Sequence, residues 1–168
     1  MLAAVLAYAM TGPLQILLPK LAREVLHLSE LQRGAYLGLM ALSLITGGIS
    51  ALVLARRVHH GSFVFAGIIA TYLVFASLSQ ITSVALSAAT LACVGITGGM
   101  VISLVVSGIQ AQAPVAMRGR VMSMYSITSQ VVPALSGVAA GALVNGVGVT
   151  SAIQLSGLVL AGIVALAA

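Results

Sequence analysis

The chain has 168 residues, 61% hydrophobic and only 5% charged, where soluble domains carry roughly 45–50% apolar and about 25% charged residues. Seven Lys and Arg with two Asp and Glu cannot clothe a domain of this size in water, so a water-soluble fold is excluded and an integral membrane protein is expected. The net charge of +5 does not point to nucleic acid, because the basic residues form no stripe and no aromatic stacking platform accompanies them.

A bilayer core about 30 Å thick takes roughly 20 helical residues, so the polar breaks divide the chain. The first apolar stretch, residues 1–18, ends at Pro19 and the charged segment Lys20 to Arg33. It has no basic leader and no small-residue cleavage site, so it is expected to be a span and not a removable signal. Pro13 should kink it. Tyr8, Thr11 and Gln15 fall on one helical face.

The second stretch, 35–55, ends at Arg56, Arg57, His59, His60 and Gly61. Two adjacent loop histidines do not converge on one ion, and no carboxylate is near to orient them, so no metal site is expected. Residues 62–110 then run without a charge. As one helix they would reach about 73 Å at 1.5 Å per residue, far beyond a bilayer. The chain must fold back at Gln80 to Ser83, giving spans 62–79 and 84–110. Cys93 stands alone in the second of these, which leaves no disulfide framework and suggests a buried, inert thiol. Gly95, Gly99, Ser103 and Ser107 recur every four residues, a stripe suited to close helix packing in lipid.

Arg118 and Arg120 flank Gly119 in the next short loop, where glycine would let the backbone turn tightly. The following uncharged run divides at the turn residues Asn145 to Gly148 into spans 121–144 and 149–168. Tyr125, Ser129 and Pro133 share a face of the fifth span with Gln130 beside it, and Gly137 and Gly141 form a second small-residue row. Pro133 should kink this helix too.

The expected architecture is therefore an all-α membrane protein, a single bundle of six transmembrane helices over residues 1–168. The stretches are continuously apolar and too long for strands of a membrane barrel. An even number of spans puts both termini on one side. The second and fourth loops hold Arg56, Arg57, Arg118 and Arg120 without an acid, against Lys20, Arg23 and Arg33 with Glu24 and Glu30 in the others. That asymmetry places the four arginines and both termini in the cytoplasm. No catalytic constellation is present, so no enzyme and no cofactor are expected. No charged residue lies deep in a span, which leaves this chain without a coupling group of its own. Tyr8, Thr11, Gln15, Tyr125, Ser129 and Gln130 either bond within the bundle or line a wet cavity.

Two stretches bear a family likeness: LLPKLAREVLHLSE, Leu17 to Glu30, and QAQAPVAMRGRVMSMYS, Gln110 to Ser126. They resemble the outer loop after the seventh helix and the inner loop between the tenth and eleventh helices of major facilitator superfamily transporters, in the subgroup with the enterobactin exporter and macrolide efflux proteins. The resemblance implies the carboxy-terminal six-helix half of an alternating-access secondary transporter. Its partners would be the lipid bilayer, a small-molecule substrate, and an amino-terminal half or a second copy of this chain. It further implies an antiporter of the bacterial inner membrane that exports amphipathic drugs or siderophores. The six polar residues would line its substrate cavity, and Arg56, Arg57, Arg118 and Arg120 its cytoplasmic gate. The loop ALVLARRVHHG departs from the family's Gly-x-x-x-Asp-Arg-x-Gly-Arg signature by lacking the acid, so no charge-relay latch is expected there. The apolar ends at Met1 and Ala168 suggest a fragment or truncated product. Two rivals stand beside this reading: a noncatalytic interaction protein built on a degenerate half, and a six-helix transporter acting as a homodimer.

Overall fold

The computed structural model describes residues 2–54 and 61–167, and among them it is helical with no strand. Six helices carry the chain: α1 Leu2–Val25, α2 Glu30–Leu54, α3 Gly61–Ser77, α4 Val84–Gln112, α5 Arg118–Val147 and α6 Val149–Ala167. Each contributes a segment long and apolar enough to cross a membrane. The six-helix membrane fold expected from composition is what the chain adopts.

Several helices run further than hydropathy suggests. α1 continues through Pro19 to Val25. Its last turn widens, so that the Leu26 N–H reaches the Leu21 carbonyl five residues back at 3.0 Å. Pro19 stands on the cavity side, one turn on from Gln15, while Leu17, Leu18, Leu21 and Ala22 keep the core side packed past it. His27, with φ of 50°, then stops the helix in the left-handed region.

α2 begins at Glu30, five residues before the apolar run, because Ser29 and Gln32 form a reciprocal cap. The Ser29 N–H donates to Gln32 Oε1 at 2.9 Å, and the Gln32 N–H points back to Ser29 Oγ at 3.4 Å. α5 starts at Arg118 instead of beyond Arg120, so both arginines and Gly119 belong to its first turn. The tight turn expected at Gly119 lies earlier, over Pro114 to Met117. α5 also absorbs Asn145, Gly146 and Val147, leaving Gly148 as the whole connection to α6. Its φ of 80° and ψ of 170° suit glycine alone.

Three helix pairs dominate the packing: α2 on α4, α3 on α6, and α1 on α5. Exchanging the first three helices for the last three, α1 with α4, α2 with α5 and α3 with α6, maps this pattern onto itself. The bundle is thus two three-helix repeats with swapped partners. Lipid offers helices little hydrophobic reason to associate, so close approach carries the packing. A Cβ on Gly99 would collide with the Leu44 carbonyl, one on Gly47 with the Ile96 carbonyl, and one on Gly12 with the Pro133 carbonyl.

The interior is filled by Tyr72, Phe75, Leu17, Leu21, Ile68, Leu91 and Ile153, all essentially buried. Large apolar side chains such as Leu42, Ile45, Leu52, Ile127, Leu135 and Val138 cover the outside. In water such a coat would drive aggregation; in hydrocarbon it is the expected surface. Cys93 is exposed on this surface, not buried as a lone apolar-run thiol suggests.

Candidate substrate cavity

The site grows out of a defect in α1. Pro13 has no N–H to give the Ala9 carbonyl, and the helix is interrupted at Met10, between Leu2–Ala9 and Thr11–Lys20. Regular bonding resumes where the Leu14 N–H meets the Met10 carbonyl at 3.0 Å. Tyr72 of α3 packs beside this stretch: the residue is only 1% exposed, and its hydroxyl donates to the Leu6 carbonyl in the turn before the break. α5, by contrast, runs through Pro133 without interruption.

Beside the break lies a cavity of about 380 Å³ between α1, α2, α3 and α4. Tyr8, Thr11 and Gln15 stand on its α1 wall, Thr71 and Tyr72 on its α3 wall, and Met40, Leu44, Ile68 and Val101 make it largely apolar. Among the described residues no Asp, Glu, Lys or Arg lines it. The Thr71 hydroxyl is committed to the Gly67 carbonyl at 2.8 Å, and that of Tyr72 to Leu6. Thr11 and Gln15 differ from them. Among the described residues neither side chain finds a hydrogen-bond partner, whereas Thr46, Thr90 and Thr128 each bond the carbonyl four residues back. One helical turn apart on one wall, Thr11 and Gln15 can offer a hydroxyl and a primary amide to the same solute.

The other three residues expected on a cavity are placed differently. Tyr125 does not line the cavity but touches a residue that does: its hydroxyl bonds that of Tyr8 and its ring stands edge-on to the Tyr8 ring, with centroids 5.7 Å apart at 64°. Ser129 donates to the Ser126 carbonyl at 2.8 Å, and Gln130 is exposed on α5. Neither borders the cavity. Thr71 and Tyr72 are not singled out by sequence reasoning; their signal there is a polar pair inside the apolar run Phe63 to Ala76.

Arg118 and Arg120 are exposed at the start of α5, and Arg118 Nε donates to the Ala113 carbonyl at 3.3 Å. Arg56 and Arg57 lie outside the described residues, as do His59 and His60. Of the small-residue rows, Gly95 and Gly99 meet α2, Ser103 faces Gly48, and Gly137 meets Gly12 and Ile16 of α1. Gly141 faces open space, and Ser107 bonds the Ser103 carbonyl of its own helix. No cluster of three His, Cys, Asp or Glu forms among the described residues.

The family model described as Major Facilitator Superfamily matches residues 1–137, from the start of the chain to Gly137 in α5. No curated protein matches the chain.

Proposed function

The chain belongs to the Major Facilitator Superfamily, a family of membrane transporters, and from that premise we propose that it forms one six-helix half of an alternating-access exporter of amphipathic small molecules. The observation that carries the proposal is the cavity: about 380 Å³, largely apolar, with the unbonded Thr11 and Gln15 on one wall. Apolar walls accept the greasy body of a solute, and two free polar groups fix its orientation without the cost of burying a charge.

In this reading the substrate drugs or siderophores pass between this bundle and a second six-helix unit, either an amino-terminal half or another copy of the chain. Two such units around one midplane site are the general plan of these transporters. Tyr8, Thr11 and Gln15 bind the solute, and Tyr125 holds Tyr8 through its hydroxyl. The end carrying Arg118 and Arg120 faces the cytoplasm of a bacterial inner membrane together with both termini, as the excess of positive charge there favours. Export is driven by antiport, with the coupling acid in the second unit, since Glu24 and Glu30 lie in the last turn of α1 and the first turn of α2 and not on the cavity.

The test is efflux of a fluorescent amphipathic dye from bacteria expressing the chain alone or with a candidate six-helix partner. Dye efflux that stops when the proton gradient is collapsed, and that falls about tenfold on combining Thr11→Ala with Gln15→Ala at unchanged protein level, is the expected result, a loss matching two hydrogen bonds to solute. Efflux indifferent to both substitutions would remove the cavity from the pathway.

A further inference from the structure

The two swapped crossings of the bundle, α1 on α5 and α2 on α4, are built alike beyond their glycines. In the first, Gly12 lies against the Pro133 carbonyl; in the second, Gly99 lies against the Leu44 carbonyl. Tyr125 precedes Pro133 by eight residues, and Tyr36 precedes Leu44 by eight. Each tyrosine therefore stands about 12 Å along its helix from the crossing. Each also bonds the partner helix through its hydroxyl. Tyr125 meets the Tyr8 hydroxyl on α1, and Tyr36 meets Ser87 Oγ on α4 at 2.6 Å.

Chain direction puts these bonds at opposite ends. Tyr125 lies two turns from the start of α5, at the end bearing Arg118, whereas Tyr36 lies two turns from the start of α2, at the end bearing the Leu26 to Ser29 turn. Their surroundings differ as well. Tyr36 is 4% exposed and Ser87 fully covered, while Tyr8 and Tyr125 are half-buried.

We propose that Tyr125 and Tyr36 are equivalent positioning residues, each the hydroxyl clasp of one crossing, so that the bundle is held shut by separate fasteners at its two ends. The reason for separateness is geometric. Between each clasp and its glycine crossing the two helices are joined at two points, and loss of the terminal point frees only the segment beyond the crossing. A hydroxyl left without its partner in hydrocarbon adds to the effect, because no water replaces it.

The test uses the full chain in lipid nanodiscs with Cys93→Ala and single reporter cysteines at two buried positions, Ala4→Cys, one turn from Tyr8, and Leu91→Cys, one turn from Ser87. A water-soluble maleimide reads how often each end opens. Tyr125→Phe should raise labelling at position 4 about threefold, the effect of one membrane hydrogen bond, and leave position 91 unchanged. Tyr36→Phe should do the reverse. Tyr8→Phe and Ser87→Ala, which remove the other partner, should reproduce these two patterns and stand in for a tyrosine variant that fails to fold. Equal changes at both reporters, no change at either, or an effect from only one clasp would overturn the proposal. None of these readings depends on a substrate, so failure of the clasps leaves the transport reading separately testable.

Discussion

Gly12 and Gly99 are glycine for the same steric reason: a backbone carbonyl of the facing helix occupies the space of a Cβ. Backbone cannot rotate aside as a side-chain tip can, so the helices themselves would have to part. Gly99→Val or Gly12→Val should lower thermal stability in detergent by about 1–3 kcal/mol, the usual range for overpacking. Gly141→Ala, facing open space, should change it little, since helix propensity even favours alanine by up to about 1 kcal/mol. Melting curves of the three variants against the parent check the contrast. The repeat of small residues in α4 is visible in the sequence, but its partners are not. Which carbonyl a glycine meets depends on how neighbouring helices are rotated, and Gly141 continues the row from Gly137 in spacing alone.

At the scale of elements, hydropathy locates each helix and says little about where it stops. Ends are decided by hydrogen bonds and by which face is packed. The SELQ stretch, Ser29 to Gln32, carries the capping-box pattern, yet its charge and amide make it read as loop. Pro19 reads as a terminator, yet α1 passes through it because Leu17, Leu18, Leu21 and Ala22 are buried on either side. The cavity follows the same division. Tyr8, Thr11 and Gln15 are legible as one face of one helix, whereas Thr71 and Tyr72 reach the cavity only because α3 packs beside α1, where Tyr72 bonds the Leu6 carbonyl. Ser129 and Gln130 satisfy the same periodicity and still miss the cavity, because α5 packs on α1 through Pro133 and Gly137. The Tyr72 bond is testable on its own. Tyr72→Phe should destabilise the chain by about 0.5–2 kcal/mol, as loss of a membrane hydrogen bond does. No change in melting temperature in detergent would mean that the tyrosine only fills space.

For the whole molecule, lipid as solvent organises everything else: an apolar exterior, small residues between helices, and polar side chains returned to their own backbone or gathered at one cavity. The two ends differ in charge, and that difference predicts orientation. Reporter fusions in the 56–60 segment, at the Ala113 to Met117 turn and at the carboxy terminus should all report cytoplasm, and fusions at Leu26 to Ser29 and at Gly148 the opposite side. A split between the two arginine-bearing segments would contradict an even set of six crossings.

The single-residue link at Gly148 has a mechanical consequence. With one glycine between them, α5 and α6 cannot slide past each other along the membrane normal, because no slack chain exists to lengthen. Tilt about that point is the only relative freedom the link leaves, so a push delivered to α5 arrives at α6 as rotation. α3, which leans on α6, then feels a lever and not a piston.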